Sequence, residues 1–274
     1  LKLDNFFDLK LKIPTLDEQK KISSILKHIN KIISENKSKV EKIKYLNKSL
    51  LKKFLYQGIK NNKFKNTKLG KIPDTWDIKS LDEIGNLSKG LGISKKDTIK
   101  SGYPCLRYAE IYTRHNNIIK SFYSFIPKTL ISKTKVLKKN DIVFACSGEN
   151  IDEIGKSVLF TGDHKAYVGG DTMILSLKTN INSKFLIYQL NDDERRKQLR
   201  KLGTGSSIFH IYKSDLKELL ILAPPVEEQI KIANILGNFE NFVDKLEEKI
   251  LKYEILKQSL LSDLLTGKIK LILN

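Results

Sequence analysis

Hydrophobic positions divide this chain into two long helical stripes and, between them, a segment with shorter and denser apolar runs. From Thr15 to about Gln57, apolar side chains recur at steps near three and four residues, which is the spacing of coiled-coil helices. A second stripe of the same kind covers about 226–265. Each helix would be roughly 60 Å long, given the rise per residue of an α-helix. Two such stripes favour an antiparallel intramolecular pair; the alternative is that each helix packs on the intervening domain.

The predicted seam between these helices follows the apolar repeat. Asn36 falls where an apolar residue is due, and Leu246 occupies the corresponding place in the second helix. The steps around Leu246 and Ile250 predict a stutter, at which a supercoil relaxes. Thr15 and Glu18 form a capping-box pattern at the start of the first helix. The seam residues are Ile22, Ile25, Ile29, Ile32, Asn36, Val40, Ile43, Leu46, Leu50 and Phe54, and then Ile232, Ile235, Phe239, Phe242, Leu246, Ile250, Tyr253, Leu256, Leu260 and Leu264.

The two helical segments are copies of one sequence motif. Residues 13–26 read IPTLDEQKKISSIL and residues 223–236 read APPVEEQIKIANIL, and seven of these fourteen positions are identical. The match continues at the same offset, since Ser49-Leu50-Leu51 recurs as Ser259-Leu260-Leu261. A long-period repeat around a different insert indicates one domain between two similar helical spacers.

The insert, residues 61–222, has the pattern of an α+β domain with mixed short strands and helices. Segments 141–146, 157–161 and 172–177 are rich in β-branched and aromatic residues and are predicted to be strands. Residues 183–202 are predicted to be helical, with Gly203 ending the helix. Residues 60–68 are polar and basic and are interpreted as a linker.

The net charge of the chain indicates a polyanionic partner, which the fold class alone does not. The chain has 274 residues, a formal net charge of +19 and a pI of about 9.6. Residues 61–222 hold 28 basic and 17 acidic side chains, whereas residues 223–274 hold 7 and 8. Such an excess most often indicates nucleic acid as the partner, and the alternative is a lysine-rich surface without that role.

Cellular location is constrained by cysteines and by the lack of long apolar runs. Cys105 and Cys146 have no metal-ligand spacing, and no signal peptide or membrane-spanning run is visible, so we expect a reduced, cytoplasmic protein without membrane contact. The chain begins with Leu1 and its single methionine is Met173, and so we expect it to be part of something longer.

Motifs for catalysis or cofactor binding are not found in the sequence. It lacks a glycine-rich dinucleotide loop, a Walker A lysine motif and the Pro-Pro-aromatic motif of amino-methyltransferases. Asp141, Glu153 and Lys156 come nearest to a nuclease magnesium site, but the spacing of the last two is one residue too long. The four histidines lack the spacing of a zinc site. We therefore predict no catalytic residue, no metal and no cofactor.

Residues suited to DNA concentrate in two stretches. Within 89–120, basic side chains interleave with aromatics and amides, and Arg and Asn can read guanine and adenine in the major groove. The loop Gly203–Ser207 offers N–H groups and hydroxyls to phosphates. The alternatives are a basic surface over a Tyr-rich core strand, and a plain helix-to-strand connection. The candidate residues are Lys89, Lys95, Arg107, Tyr108, Arg114, Asn116, Asn117, Lys156, Thr204, Ser206 and Ser207.

The order of these motifs resembles the specificity subunits of type I restriction-modification systems. The pattern Pro-x-x-(Asp/Glu)-Glu-Gln-x-x-Ile-x-x-Ile-Leu, followed by a long helix, is similar to the conserved helical regions of that family. The insert is similar to one of its target recognition domains. The stretches that carry this likeness are Gly70-x-Ile72-Pro73-x-x-Trp76, Asn140–Phe144, Ile154-Gly155-Lys156 and Gly203-x-Gly205-Ser206-Ser207.

The resemblance implies an architecture: a target recognition domain at 61–222, helical spacers at 13–60 and 223–274 that form an antiparallel coiled coil, and a remnant of a preceding recognition domain at 1–12. It also implies a role without catalysis, in which the domain reads half of an interrupted target in double-stranded DNA. The helices would dock modification (methyltransferase) subunits and, through them, the restriction subunit.

Three interpretations remain open from the sequence. A homodimer through the helices would place two recognition domains on an interrupted palindrome, because two-fold symmetry in the protein requires it in the DNA. A helical interaction scaffold would bind DNA only within the complex. An enzyme with an unrecognised site is the third.

Overall fold

The computed structural model describes residues 13–266. The interpretation of residues 1–12 as a remnant therefore lies outside the described residues, as do positions 267–274 of the second predicted spacer. The chain divides into two compact units. The helical unit comprises, of the described residues, 13–49 and 236–266, and the domain unit comprises Leu50–Ile235.

Two long helices and a series of short ones make up the helical structure of residues 13–266. The long ones begin and end close to the predicted bounds, and each contributes residues to both units. Short 3-10 turns cover Lys95–Asp97 and Lys128–Lys133. The α-helices are α1 (Leu16–Gln57), α2 (Leu81–Ile84), α3 (Tyr108–Thr113), α4 (Ser183–Leu190), α5 (Asp193–Leu202), α6 (Lys213–Lys217) and α7 (Val226–Leu265).

Short strands form the framework of the domain unit. The predicted strands at 141–146, 157–161 and 172–177 are confirmed, with shorter bounds for the first two. The strands are β1 (Phe64–Thr67), β2 (Gly70–Pro73), β3 (Asp77–Ser80), β4 (Gly85–Lys89), β5 (Tyr103–Leu106), β6 (Ser124–Ile126), β7 (Lys135–Leu137), β8 (Ile142–Ala145), β9 (Ser147–Gly148), β10 (Ser157–Leu159), β11 (Ala166–Val168), β12 (Thr172–Leu177), β13 (Phe209–His210) and β14 (Leu220–Ala223).

A central antiparallel sheet of order β10-β8-β12-β4 separates two cores. On β8, Ile142 and Phe144 belong to the core that includes α4, whereas Val143 and Ala145 belong to the core that includes α3. Alternate residues of a strand point to opposite faces, so a sheet covered on both faces reads as an unbroken apolar run. A second sheet, of order β6-β5-β11-β7, contains the parallel pair β5 and β11.

The helical unit is an antiparallel pair, as predicted. Lys37 Nζ lies 2.7 Å from Glu254 Oε1, and Lys44 Nζ lies 2.8 Å from Glu247 Oε1. A step of seven residues forward in α1 thus matches a step of seven backward in α7, which is one heptad in each helix. These ion pairs are exposed and add little free energy. The stability of the pair comes from the apolar seam beside them.

At two positions the seam uses the neighbour of the predicted residue. Ile33 replaces Ile32 in the cluster between the helices, and Val243 replaces Phe242, whose side chain is 53% exposed. Leu46 and Leu256 are also exposed. The remaining members are Ile25, Ile29, Val40, Ile43, Leu246, Ile250, Tyr253 and Leu260, with Asn36 buried in line with them.

These corrections remove the predicted stutter. From Ile29 through Ile33, Asn36 and Val40 to Ile43, the steps alternate strictly between four and three residues. The run from Val243 to Tyr253 does the same. In α1 the steps from Ile25 to Ile29 and from Ile29 to Ile33 are both four residues, so the use of Ile33 instead of Ile32 places the irregular step at Ile29.

Two other predictions need correction. The predicted linker 60–68 contains β1, which pairs with β2 in a hairpin. The predicted helix 183–202 is two helices, because Asp192 starts a new one by accepting a hydrogen bond from Glu194 N. Gly203 ends α5 as predicted, with φ −68°, so it is not used for a left-handed conformation. No helix within residues 13–266 has the length and apolar character needed to cross a membrane.

One carboxylate joins the start of α7 to the residues that follow α1 and to the domain. Glu228 Oε1 accepts hydrogen bonds from Ile59 N at 2.6 Å and Asn61 Nδ2 at 2.9 Å, and its Oε2 accepts from Trp76 Nε1 at 2.9 Å. Gly58 adopts φ +68°, and a Cβ there would lie 2.3 Å from Glu228 Oε1. The tight turn after α1 therefore requires glycine.

Candidate DNA-binding surface

The ends of strands from both sheets meet at one rim of the domain unit. β5 and β11 run in parallel, and Gly169 N, just past β11, donates to Leu106 O at 2.9 Å. Gly90 N, just past β4, donates to Thr172 O, and Cys146 N, just past β8, donates to Asp171 O. We call the residues at these strand ends, together with Tyr112 of α3, which contacts Ser147, the rim: Lys89, Arg107, Tyr112, Ser147, Gly169, Gly170, Asp171 and His210.

The backbone of the rim is tightly constrained at two positions, Gly90 and Asp171. A Cβ on Gly90 would lie 2.1 Å from Gly169 O and 2.2 Å from Thr172 Oγ1, so only glycine fits there. Asp171 adopts φ +58°, an uncommon conformation for a residue other than glycine. These two constraints fix the turns that present the side chains of Lys89 and Asp171.

A chain of polar side chains crosses the rim. Ser147 Oγ donates to Asp171 Oδ1 at 3.2 Å and lies 2.9 Å from His210 Nδ1. The pairing of β13 with β9 positions His210. In a hydrolase triad the histidine stands between serine and carboxylate, whereas here the serine stands between the other two. The arrangement is therefore an array of hydrogen-bonding groups and is not set up to activate a nucleophile.

Lys156 and Tyr112 fasten α3 to this rim. Tyr112 Oη donates to Ser147 O at 3.0 Å, and Lys156 Nζ donates to His115 O at 2.8 Å and to Tyr112 O at 3.3 Å. Burial lowers the pKa of Lys156. A lysine at this place satisfies carbonyls at the end of a helix. These two hydrogen bonds use two of the three ammonium donors of Lys156 and leave at most one for another acceptor.

Arg107 is held by buried partners. Its Nε donates to Ser124 Oγ at 3.0 Å, and its Nη2 lies 3.2 Å from Glu110 Oε1. Glu110 is 4% exposed and also accepts from the Ser124 hydroxyl. Because a buried carboxylate needs a compensating charge, Arg107 has a structural role, and it remains half-exposed at the rim. Tyr108 packs on the core with its ring edge-on to Tyr112.

The other predicted residues of 89–120 fall into two groups. Lys89 and Lys95 are exposed near the rim, since Ile93 packs against Gly169. Arg114 and Asn116 are exposed beyond the end of α3, with the Arg114 guanidinium 5.2 Å from the centre of the Tyr123 ring. Asn117 is half-buried, and its Oδ1 accepts from Asn191 Nδ2 at 2.8 Å. Asn117 therefore participates in the packing of the domain.

The loop after α5 projects its hydroxyls into solvent. Thr204, Ser206 and Ser207 are exposed, and Thr204 is tied to the rim by two backbone hydrogen bonds with His210. Gly205 has φ +138°, and a Cβ there would lie 2.0 Å from Ile208 O, so the sharp turn depends on glycine. Exposed hydroxyls and N–H groups on a fixed loop suit phosphate oxygens.

Ser147, Asp171 and His210 were not predicted as a group. Their positions are 24 and 63 residues from Ser147 along the chain, and only strand pairing brings them together. A usable signal was the polar Ser147 directly after the four buried residues of β8 and Cys146.

The suggested nuclease cluster does not form. Asp141 Oδ1 accepts from Ser176 Oγ at 2.6 Å and its Oδ2 accepts from Lys138 N at 2.7 Å, whereas Lys156 binds carbonyls elsewhere. Among residues 13–266, no group of three or more His, Cys, Asp or Glu side chains is arranged to hold a metal ion.

Comparison with known proteins gives one consistent family. A family model described as the type I restriction modification DNA specificity domain matches residues 73–255. The type I restriction enzyme MjaVIII specificity subunit of Methanocaldococcus jannaschii is 28% identical over 270 residues, covering 97% of this chain and 63% of that protein. The EcoKI specificity subunit of Escherichia coli is 26% identical over 208 residues, covering 73% and 44%.

Solved structures share the fold. The HsdS subunit from Thermoanaerobacter tengcongensis aligns with a TM-score of 0.56 at 17% identity, covering 94% of this chain and 60% of that one. The S subunit of a type I restriction-modification system from M. genitalium aligns with a TM-score of 0.60 at 15% identity, covering 94% and 62%. The chain thus spans less than two thirds of the length of each of these relatives.

Proposed function

This chain belongs to the family of type I restriction-modification DNA specificity domains, and from that premise we propose that it recognises one half of an interrupted target in double-stranded DNA. The observation that carries the proposal is the rim. Strand ends from two sheets converge there with a lysine, an arginine, a histidine and a loop of exposed hydroxyls. The excess of basic residues in 61–222 supports the same partner.

We assign different tasks to different parts of this surface. Lys89, Lys95 and the loop with Thr204, Ser206 and Ser207 suit phosphates, which position a protein on DNA without reading sequence. Arg114 and Asn116 carry exposed groups that can bond base edges, and Arg107 can do so only through the guanidinium N–H groups that Ser124 and Glu110 do not use. Tyr108, Asn117 and Lys156 rank lower, since their side chains are already engaged inside the domain.

The helices have a second proposed role, without catalysis. A recognition domain at 61–222 would sit between spacers at 13–60 and 223–274, and the spacers would bind methyltransferase subunits and, through them, the restriction subunit. Tyr45, Phe242, Leu251 and Ile255 are exposed on the helical unit, and large exposed apolar side chains often mark a protein interface. A homodimer through the same helices would read an interrupted palindrome.

Selection from a randomised duplex pool tests the recognition role. We expect the purified chain, at two salt concentrations and with or without a cognate methyltransferase subunit, to enrich a short motif. Enrichment of a palindromic pair would support the dimer. Salt-sensitive binding without enrichment under any condition would contradict sequence recognition and leave the scaffold interpretation.

Two single lysine variants test whether the rim contacts DNA phosphates. Lys89→Ala should weaken binding to all sequences about equally and reduce the slope of log K against log salt by about one, because it removes one phosphate contact. Lys178→Ala, at an exposed position away from the rim, is the matched control. If the two variants change DNA affinity and its salt dependence equally, Lys89 is not part of the proposed DNA-binding surface.

A further inference from the structure

A second basic site lies on the domain unit apart from the rim. The turn of the β1–β2 hairpin and one face of α5 enclose a cavity of about 490 Å³. Its charged lining consists of Lys68, Glu194, Arg195, Lys197, Arg200 and Lys201. Five cations and one anion thus face a space of the size that holds small ligands, and none of the six belongs to the rim.

The positive charge of this pocket is only partly balanced. Lys197 pairs with Glu194 at 2.7 Å, and Arg200 pairs with Asp152 at 2.5 Å. Lys68, Lys201 and Arg195 have no ion-pair partner within residues 13–266. Cations gathered around a concave space raise the local concentration of anions.

Arg195 is the most informative residue in the pocket. Its side chain is 1% exposed, and its Nε and Nη2 have no hydrogen-bond acceptor among the described residues. The nearby carboxylate of Asp192 accepts a hydrogen bond from Tyr56 Oη at 2.5 Å instead. A buried guanidinium with unpaired N–H groups is unfavourable on its own. These two nitrogens have almost no accessible surface, so an anion in the pocket would offset the charge of Arg195 without accepting from them.

We propose that this pocket is a phosphate-binding site. Lys68 and Lys201 would bind phosphate oxygens as point charges, and the buried guanidinium of Arg195 adds positive charge behind them. The phosphate could belong to a DNA backbone or to a free phosphate compound. The first source is geometrically open, because α5 leads from the pocket into the loop with Thr204, Ser206 and Ser207. The site does not depend on sequence recognition by the rim.

Two probes distinguish the sources. Inorganic pyrophosphate, titrated calorimetrically, represents the free compound, and a duplex of random sequence represents the backbone. The test variant is Lys68→Ala/Lys201→Ala, in which both side chains are exposed and the fold should survive. The control is Lys178→Ala/Lys184→Ala, which removes the same charge from exposed positions outside the pocket.

For a free phosphate ligand, we expect saturable pyrophosphate binding that weakens on the order of tenfold in the test variant only. For a backbone phosphate, duplex affinity should fall for every sequence and the salt slope should drop by about two. Arg195→Gln should weaken binding of the same probe, because it removes a buried charge next to the pocket, and if that variant does not fold, the lysine variant decides. If the test and control variants behave alike with both probes, the proposal is overturned.

Discussion

The two copies of the Pro-x-x-acidic-Glu-Gln motif form the same local structure in different surroundings. Gln19 Nε2 donates to Pro14 O at 2.8 Å, and Gln229 Nε2 donates to Pro224 O at 2.7 Å. Gln19 is exposed, whereas Gln229 is 1% exposed and its Oε1 also accepts from Asn182 N at 2.8 Å. In both copies the glutamine side chain thus bonds the backbone just before its helix. In the second copy it also bonds Asn182 of the domain unit.

The two glutamates of the motif, Glu18 and Glu228, differ more in their hydrogen-bond partners than the two glutamines do. Glu18 accepts from the N–H and the hydroxyl of Thr15 in a capping box. The position of Thr15 is Pro225 in the second copy, which offers neither donor, and Glu228 instead binds Ile59, Asn61 and Trp76. The loss of the Thr15 donors at Pro225 thus goes together with a carboxylate that binds other parts of the domain instead of its own helix. Sequence identity between repeats does not imply identical function for each residue.

The glutamate pair should show the largest difference in stability. Glu228→Ala removes the acceptor of the fully buried Trp76 indole and of two further donors, so the free energy of unfolding should fall by about 3 kcal/mol. Glu18→Ala loses a capping interaction and should cost about 1 kcal/mol. The measurement is the midpoint of urea unfolding, followed by the fluorescence of Trp76.

Matched controls isolate the contacts from the charge. Glu227→Ala and Asp17→Ala remove the same charge from the first turn of α7 and α1, and both side chains are exposed. Each should change stability by about 0.5 kcal/mol, the scale of a helix-dipole effect. Equal losses in Glu228→Ala and Glu18→Ala would show that the two copies are energetically alike, against the comparison drawn from their hydrogen bonds.

The glutamine pair should differ by less. Gln229→Ala leaves the backbone N–H of Asn182 without its acceptor in a largely buried place, and we expect a loss of about 2 kcal/mol. Gln19→Ala, at an exposed position, should stay within about 0.5 kcal/mol. Hydrogen exchange at Asn182 gives the site-specific readout: its protection should drop in Gln229→Ala and remain unchanged in Gln19→Ala.

What could be predicted from the sequence depended on how local the determinants were. The bounds of α1 and α7 follow from long stripes and a capping box, and the α+β class follows from short apolar runs. The choice between Ile32 and Ile33 could not be made from the sequence, because it depends on which of the two side chains faces the partner helix. The hairpin of β1 was hidden because β1 is mostly polar and none of its residues is buried.

The candidate site was predictable only in composition. Lys89 and Arg107 of the basic stretch lie at the rim, and the loop at 204–207 adjoins it through Thr204 and His210; their contact with DNA stays a prediction. Ser147 and His210 lie 63 residues apart, and no local pattern joins them. The sequence offered Lys156 as a candidate DNA contact, but in the structure its ammonium group donates to carbonyls at the end of α3. Hydrogen bonds of this kind depend on tertiary placement, which residue type alone does not determine.

The two helices themselves supply the smallest contrast. Asn36 is buried in the seam of α1 with its Nδ2 donating to Ile32 O at 2.8 Å, whereas the corresponding residue of α7 is Leu246. A polar residue in a coiled-coil seam lowers stability and fixes the register. Asn36→Leu should therefore raise stability by about 1 kcal/mol, or roughly 2–4 °C in Tm. Asn30→Leu, at an exposed position of α1, is the control.

The register is the sharper readout of this change. Cysteines at positions 37 and 254, where the Lys37–Glu254 ion pair bridges the two helices, should be joined in the parent chain by a short bifunctional thiol reagent. A pair at 44 and 254, shifted by one heptad, should cross-link only if the register slips. If Asn36 specifies the register, Asn36→Leu adds the shifted product while stability rises. A stabilised variant that forms only the 37–254 product would mean that the register is fixed by the rest of the seam, and that Asn36 merely weakens it.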